Sequence, residues 1–401
     1  MRTEALSSLI PDAADFLDQP PTEAVAWRGS SSLDFGLAAV GELIDHGSLQ
    51  RQMVSMVKDG QRVAPAAYTW AGQPIQPGFA EVVRTTKVSA YIGAGATTVL
   101  ESLHRTWKPI GDLCRRLSHE TGLPISANAY LTPSGSQGFA HHYDTHSVLI
   151  VQTAGSKTWQ LHAPVYNDPL EHQPWDGSKV TDTEWDRLRT GTPYLEVTLE
   201  PGDSLWIPRG WIHNGFATDD HSLHVSFSFP TLTPYWLAGE LIRALGSERA
   251  FRAELPWGFG RSADLRAEAL AATTKLLAEH FSTLSEQPAD NSELADNYRR
   301  FSLESSRHPM DNFLPAPTLD TQVRTVAESA AGVDWTPTGR LRVHLGDSIV
   351  EFEDAPARVV AELLSADSSN PWTGRTLELP EAGALELVSL LLRTGLATRH
   401  L

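Results

Sequence analysis

The stretch from Gly138 to Leu161, GFAHHYDTHSVLIVQTAGSKTWQL, places three histidines and an aspartate within six residues. In an extended chain the side chains of His142 and Asp144 point to the same face, and Tyr143 points to the other. Two histidines and one carboxylate on one face of an octahedron are the ligand set of non-haem Fe(II) oxygenases. The pair therefore predicts a metal site that still needs a histidine from elsewhere in the chain.

The segment EPGDSLWIPRGWIHNG supplies that candidate, His213. Pro201-Gly202-Asp203 predicts a turn, SLWIP a strand and Arg209-Gly210 a second turn, after which His213 opens the next strand. Its spacing from Asp144 suits a facial triad on a double-stranded β-helix barrel. An H-x-D pair alone also occurs in ordinary surface strands, so the later segment is what favours a metal site.

The neighbouring histidines are weaker candidates. His146 lies on the same face as Asp144, but three ligands from one straight strand do not reach one metal well, so a supporting or substrate-side role is expected. His141 points away from His142 and is expected to be structural or exposed. His224 lies in a strand of alternating small polar residues and is expected to line the barrel.

Lys157 follows the metal-strand segment across an apolar run. Ala154-Gly155-Ser156 predicts a tight turn that reverses the chain and returns Lys157 to the interior near the metal strand. A buried lysine needs an anionic partner, and a dicarboxylate cosubstrate would provide one. The alternative is a hairpin lysine that faces solvent.

The composition of the 401 residues excludes several classes of protein. With a formal net charge of −17 and no basic run of five or more, the chain is not expected to bind nucleic acid directly. Its single cysteine, Cys114, excludes an internal disulfide framework and a cysteine-based zinc site. No apolar run approaches about 18 residues and the N-terminal segment contains acids, so we expect a cytoplasmic protein without a membrane segment.

The pattern of apolar and turn residues changes twice along the chain. Residues 1–120 contain short amphipathic helices, and residues 125–229 contain short alternating apolar runs between turn residues, which is typical of a sandwich or barrel. Helices return with TPYWLAGELIRALG, capped by Thr233, and with SADLRAEALAATTKLLAEHF. SSRHPMDNFLPAPT predicts a linker, and the last 80 residues predict a hairpin, RLRVHLGDSIVEF, followed by two helices.

Three segments together resemble the JmjC-type cupins of the ribosomal oxygenase group: ANAYLTPSGSQGFAHHYDTHSVLIVQTAGSKTWQLHAP, LEPGDSLWIPRGWIHNG and HSLHVSFS. The resemblance is strong over residues 126–230. It implies a mixed α+β fold, a double-stranded β-helix (JmjC/cupin barrel) with flanking helices. It also implies three parts: a JmjC cupin domain with N-terminal helices at 1–230, a helical dimerisation segment at 231–310, and a winged-helix-like domain at 318–401. Acids outnumber arginines in the last part, so we expect it to pack against protein.

The resemblance also implies roles for individual residues. His142, Asp144 and His213 match the iron ligands, and Lys157 matches the lysine that pairs with the distal carboxylate of 2-oxoglutarate. The remaining positions of the cosubstrate pocket match Tyr130, Asn128 and Ser228. His141 departs from the family, whose members often have proline at that position.

The implied activity is that of an Fe(II)- and 2-oxoglutarate-dependent dioxygenase, which uses O2 to hydroxylate an arginine or histidine side chain of a ribosomal protein. A homodimer is implied as well. Two alternatives stay open: the same chemistry on a small molecule, a free amino acid or a peptide natural product, and a non-catalytic cupin that binds a ligand in its barrel. Lysine demethylation is a further variant, which the C-terminal segments disfavour.

Overall fold

The computed structural model describes residues 3–46, 49–70, 81–286, 314–330, 332–345, 348–366 and 370–400. The chain divides into two compact units, the first made of Met1–Thr231 with Ser302–Leu401 and the second of Leu232–Phe301. Among the described helices, none has the length and apolar character needed to cross a membrane.

One antiparallel sheet of nine strands organises the first unit. Its strands are β1 (Val25–Trp27), β2 (Val54–Lys58), β3 (Gln61–Arg62), β4 (Thr97–Leu100), β5 (Ser126–Thr132), β6 (Ser147–His162), β7 (Leu195–Leu199), β8 (Ser204–Ile207) and β9 (Ile212–Phe229). The order is β1-β8-β6-β9-β5-β4-β2-β3, and β7 pairs with β6 outside this path. The N-terminal half of β6 pairs with β8 and its C-terminal half with β7, while β9 runs beside both halves. The two long strands therefore belong to two layers at once, as a rolled barrel requires.

The predicted tight turn at Ala154-Gly155-Ser156 is wrong. β6 continues through these residues for 16 residues in all, and two irregularities in its pairing with β9 lie between Gln152 and Lys157. Gly155 has a φ of +57°, a backbone conformation that glycine adopts without steric cost. The glycine therefore produces a bulge that bends the strand instead of reversing it.

Strand alternation separates the core of the first unit from an internal cavity. On the core side of β5, β6 and β9 lie Ala127, Ala129, Leu149, Val151, Val225 and Phe227. The intervening residues line the cavity, namely Asn128, Tyr130, Val148, Ile150, His224, Ser226 and Ser228. Because side chains alternate with a period of two, one register fixes both sets.

Seven short helices of the described part of the chain accompany this sheet. They are α1 (Glu4–Ser7), α2 (Ala13–Asp18), α3 (Leu37–Asp45), α4 (Thr85–Gly93), α5 (Leu103–Thr106), α6 (Lys108–Thr121) and α7 (Asp182–Thr190). Buried residues of the first six join its apolar core, whereas α7 packs through Leu188 against Tyr143 and Ile212. The apolar residues Ile110, Leu113 and Leu117 of α6 are buried in the core, and the helix ends at Gly122, whose φ is +67°. The sequence prediction of amphipathic helices in the first 120 residues is confirmed at α3 and α6.

The second unit contains α8 (Pro234–Ala244) and α9 (Ala263–Glu286). The Thr233 hydroxyl accepts a hydrogen bond of 3.1 Å from the backbone N–H of Trp236, so the predicted N-terminal cap of α8 is confirmed. The predicted linker SSRHPMDNFLPAPT lies mostly outside the described residues.

The C-terminal part of the first unit has its own apolar core. Its elements are β10 (Val323–Thr325), β11 (Gly332–Trp335), β12 (Leu341–Leu345), β13 (Ser348–Phe352), α10 (Asp354–Ser365), α11 (Glu381–Thr394) and β14 (Ala397–Arg399). β11, β12 and β13 form an antiparallel sheet, and β10 pairs with β14. The predicted hairpin and both helices are therefore confirmed, and Leu341, Val360 and Val388 join sheet to helices in one cluster.

Candidate metal and cosubstrate site

Three side chains converge at one end of the cavity. The ligand atoms of His142, Asp144 and His213 all lie within 4.8 Å of one another, and Nε2 of His213 is 3.8 Å from Oδ2 of Asp144. His142 and His213 face each other in an isolated antiparallel bridge between two segments of the chain, and their backbones form hydrogen bonds of 3.2 and 2.8 Å. This bridge, rather than a regular strand at residues 142–144, brings the distant histidine to the H-x-D pair.

Backbone carbonyls orient both imidazoles. Nδ1 of His142 lies 2.8 Å from the carbonyl oxygen of Ala140, and Nδ1 of His213 lies 3.0 Å from that of Trp211. An Nδ1–H that donates to a carbonyl leaves Nε2 with its lone pair free. Both rings therefore present a ligand atom to the same point, next to the Asp144 carboxylate.

Burial and neighbouring charges shift the pKa values of His213 and Asp144. Burial, together with the neighbouring His142, lowers the pKa of His213 to about 4, although Asp144 opposes the change. Burial raises the pKa of Asp144, but His213, His142 and His146 outweigh it and the net pKa is lowered. An ionised Asp144 carboxylate beside a neutral His213 imidazole favours the binding of a divalent cation.

Lys157 enters the same cavity from the second half of β6. Its side chain is 3% exposed, and burial lowers the pKa of the amine to about 7. Nζ lies 3.5 Å from the Thr132 hydroxyl and 4.8 Å from the centre of the Trp159 ring. Among the described residues, no carboxylate pairs with it. The prediction that Lys157 faces the interior is therefore confirmed, although the strand bends rather than reverses to bring it there.

Two glycines keep the space around the lysine open. A Cβ atom on Gly215 would lie 2.8 Å from Cε of Lys157, and one on Gly138 would lie 3.4 Å from Nζ. Side chains at these positions would fill the approach to the amine. The absence of both Cβ atoms leaves room for an anion beside the lysine.

The other predicted pocket residues line the same cavity of about 270 Å³: Tyr130, Asn128 and Ser228. The Tyr130 ring stacks on His224 with ring centres 4.8 Å apart and planes 4° from parallel. Burial raises the pKa of the Tyr130 phenol, so its hydroxyl stays protonated and can donate. Oδ1 of Asn128 accepts 2.8 Å from the backbone N–H of Ser102, which fixes the amide.

The remaining histidines divide between the cavity and its surroundings. His146 and His224 line the cavity, as the sequence indicates for both. His141 lies outside the lining residues and its ring packs against that of His162, with centres 5.7 Å apart.

Sequence reasoning missed several residues of the cavity. Trp159 lies two residues after Lys157, and the period of two could have identified it. Arg62, Glu101 and Phe139 lie at the mouth on separate segments, and no local pattern marks them. Their contribution depends on which strands pair, which is a tertiary property.

The residues fit ferrous iron and a dicarboxylate. Two imidazole nitrogens and one carboxylate match the facial ligand set of non-haem iron. A buried amine without an acidic partner, flanked by two glycines, is suited to a carboxylate. His142, Asp144 and His213 could hold the metal, and Lys157 could bind the far end of the dicarboxylate.

An antiparallel barrel with this site in its cavity defines a cupin-type protein. Residues 104–235 match the family model of the JmjC domain. The resemblance of this part of the chain to JmjC-type cupins is therefore confirmed.

Curated relatives resemble part of the chain. The bifunctional lysine-specific demethylase and histidyl-hydroxylase NO66 of Drosophila persimilis is 39% identical over 117 residues, 29% of this chain and 16% of that protein. Ribosomal oxygenase 1 of Danio rerio is 38% identical over 113 residues, 28% of this chain and 20% of that protein. The matches thus span at most a fifth of these two relatives.

Solved structures extend the likeness of fold beyond the barrel. The crystal structure of Escherichia coli ycfD has a TM-score of 0.59 at 16% identity and covers 98% of this chain and 99% of that chain. The structure of YcfD, a ribosomal oxygenase from Escherichia coli, in complex with cobalt and 2-oxoglutarate has a TM-score of 0.55 at 18% identity, with the same coverage. At these identities the likeness is one of fold.

Proposed function

We propose that this protein is an Fe(II)- and 2-oxoglutarate-dependent oxygenase that hydroxylates an arginine or histidine side chain of a ribosomal protein. The observation that carries the proposal is the convergence of His142, Asp144 and His213 on one point of a cavity that also contains the buried, acid-free amine of Lys157. The names of the curated relatives support hydroxylation and a ribosomal target.

Each cavity residue has a distinct part in this proposal. His142, Asp144 and His213 hold the metal, and Lys157 pairs with the distal carboxylate of 2-oxoglutarate. Tyr130, Asn128 and Ser228 provide hydrogen bonds around that ligand, and Val148 and Ile150 exclude water from the inner wall. Iron, 2-oxoglutarate and O2 supply the oxidising chemistry, in which decarboxylation to succinate and carbon dioxide accompanies hydroxylation of a C–H bond.

Lys157 contributes more than charge. Its ammonium lies against the Trp159 ring and has only one weak hydrogen bond in the protein, so it is held in place with donors to spare. A carboxylate that reaches it replaces lost hydration with charge-assisted hydrogen bonds, worth about 1.5–3 kcal/mol. This anchor orients the other end of the cosubstrate towards the metal ligands.

The parts outside the barrel have supporting roles in the proposal. The cupin domain occupies residues 1–230, and residues 231–310 form a helical dimerisation segment that makes the protein a homodimer. Exposed apolar side chains of the second unit support this assignment, among them Ile242, Trp257 and Leu270. Residues 318–401 form a winged-helix-like domain, supported by its three-stranded sheet and two helices, and it packs against protein rather than nucleic acid. The protein acts in the cytoplasm.

The test is a turnover assay with full-length protein. Iron-loaded protein is given 2-oxoglutarate and ribosomal proteins from a deletion strain, and succinate and the gain of one oxygen atom on a peptide are measured by mass spectrometry. We expect both, in equal amounts, with arginine or histidine as the modified residue. Free amino acids and methyl-lysine peptides are tested in parallel.

Other outcomes support the alternatives. If free amino acids are turned over and ribosomal proteins are not, the substrate is a small molecule rather than a ribosomal protein. Loss of a methyl group from a methyl-lysine peptide would indicate demethylation. If the protein binds iron but forms no succinate with any substrate, the remaining alternative is a non-catalytic cupin that binds a ligand.

A further inference from the structure

The mouth of the cavity contains one carboxylate that the metal site does not use. Among the described residues that line the cavity, acids occur at two positions, Asp144 and Glu101. Asp144 belongs to the metal constellation, whereas Glu101 lies in the turn after β4, with its side chain 27% exposed. Glu101 therefore faces both the cavity and the solvent from which a substrate arrives.

The backbone holds Glu101 in a fixed place. Its N–H donates 2.9 Å to the carbonyl of Met53, and the next N–H, of Ser102, donates to the cavity residue Asn128. Oε1 of Glu101 accepts 2.6 Å from the Ser55 hydroxyl. Among the described residues, no donor hydrogen-bonds to Oε2. The carboxylate is thus positioned through one oxygen and free to accept through the other.

The aromatic ring of Phe139 lies beside the metal site, and Arg62 connects it to this carboxylate. The Phe139 ring centre is 5.5 Å from that of His142. The guanidinium carbon of Arg62 lies 5.3 Å from the Phe139 ring centre, and Nη1 of Arg62 is 3.9 Å from Oε1 of Glu101. Arg62 therefore already lies against both Phe139 and Glu101. Its side chain is 66% exposed, so these contacts hold it only weakly.

We propose that Glu101 and the face of Phe139 form a cation subsite that receives the substrate side chain and selects arginine over histidine. The proposal rests on the proposed function, because it names the substrate of the same site. A guanidinium is planar, always charged and able to donate to a carboxylate while it stacks on a ring. A neutral imidazole at pH 7 gains neither the ion pair nor the cation–π contact. In the free protein Arg62 occupies this subsite, and the substrate displaces it.

The direct test uses binding, so it does not depend on turnover. N-acetyl-arginine amide and its neutral isostere N-acetyl-citrulline amide are titrated into metal-free, full-length protein and followed by NMR, with N-acetyl-histidine amide as a third probe. Wild-type protein is expected to prefer the arginine probe over citrulline by about tenfold, the value of one charge-assisted hydrogen bond. Glu101→Gln is expected to abolish this preference.

Two further variants separate recognition from structure. Arg62→Gln removes the resident cation, and the arginine probe is expected to bind a few-fold more tightly while citrulline is unaffected. Glu81→Gln, which alters an acid paired with Arg51 away from the cavity, is expected to bind both probes as wild type does. A loss of affinity for both probes alike in Glu101→Gln would indicate a structural role and overturn the proposal.

The same variants distinguish failure of this subsite from failure of the proposed function. If wild-type protein forms succinate with ribosomal proteins but binds arginine and citrulline probes equally, the subsite is wrong and the oxygenase stands. If no succinate forms but Glu101→Gln still removes an arginine preference, the subsite stands as a cation site and the oxygenase fails. Tighter binding of the histidine probe than of the arginine probe contradicts the proposed selectivity.

Discussion

Lys157 is the residue whose surroundings most constrain the chemistry. It is buried in the cavity wall without an acidic partner among the described residues, and its one hydrogen bond is long. A protein tolerates such an amine when a ligand supplies the counter-charge. The metal ligands alone would fit many cupins, and in the proposed function the lysine adds a binding site for a carboxylate.

Replacing Lys157 by methionine should selectively weaken the binding of 2-oxoglutarate. Methionine keeps the length and apolar stem but removes the charge-assisted hydrogen bonds, so we expect the KM for 2-oxoglutarate to rise about tenfold to a hundredfold. Steady-state succinate formation measures this. Lys108→Met, an exposed lysine paired with Asp112, is the control. An unchanged KM in Lys157→Met would remove the lysine from the cosubstrate site.

The pKa of Lys157 predicts a pH dependence of the same step. Burial lowers it to about 7 from 10.5, so the amine of the free protein is protonated below pH 7 and largely neutral above. A bound carboxylate requires the charged amine, so binding above pH 7 takes up a proton and affinity falls by up to about tenfold per pH unit. Calorimetry in two buffers of different ionisation enthalpy should detect this proton uptake. Equal affinity at pH 6.5 and 8.5 would contradict it.

Folding stability depends on pH in the opposite direction to 2-oxoglutarate affinity. Because the folded pKa of Lys157 is below the unfolded value, the unfolded chain binds more protons between about pH 7 and 10.5, and rising pH stabilises the folded protein through this residue. The burial cost of the charged amine is largest below pH 7, where it is charged in both states.

The bend of β6 is the element on which the site depends. β6 begins at Ser147, shortly after Asp144, and Lys157 follows the bend on the same strand. Sequence reasoning assigned a tight turn to Ala154-Gly155-Ser156, and a glycine at such a position is compatible with a turn and with a bulge alike. Pairing with β9 favours the bulge, because β9 runs beside both halves of β6 and the chain therefore cannot reverse its direction between them.

Gly155→Ala should disrupt this bend. A Cβ atom at this position would lie 1.7 Å from the carbonyl oxygen of His221, and the φ of +57° is unfavourable for alanine. We expect a loss of at least about 2 kcal/mol in the free energy of unfolding, measured by urea denaturation.

Gly41→Ala provides the matched control for this substitution. Gly41 lies in α3 with no atom within 4 Å of a built Cβ, so alanine there should stabilise by about 0.5–1 kcal/mol. If Gly155→Ala unfolds at the same urea concentration as wild type, the bulge does not need glycine.

The assembly of the whole protein is predicted from the surface of its second unit. Ile242 on α8 and Leu270 on α9 are 57% and 69% exposed, which is unfavourable for an isolated protein and typical of an interface. Ile242→Glu combined with Leu270→Glu should shift a dimer to a monomer in sedimentation experiments, since buried unpaired charges oppose association. Ile349→Glu, at an exposed position of the first unit, should leave the dimer intact. A wild-type protein that sediments as a monomer would contradict the dimer itself.

The sequence alone determined the chemistry that this protein can support. His142 and Asp144 could be identified because residue type and a spacing of two are local properties, and turn residues around PGD and PRG pointed to His213. The resemblance to a known family is what favoured an interior position for Lys157. The tertiary structure decided how these residues meet: the bridge between His142 and His213, the bend at Gly155 and the placement of Glu101 and Phe139 at the mouth. These features depend on strand pairing between residues far apart in the chain, whose energy comes from packing and hydrogen bonds that no local pattern encodes.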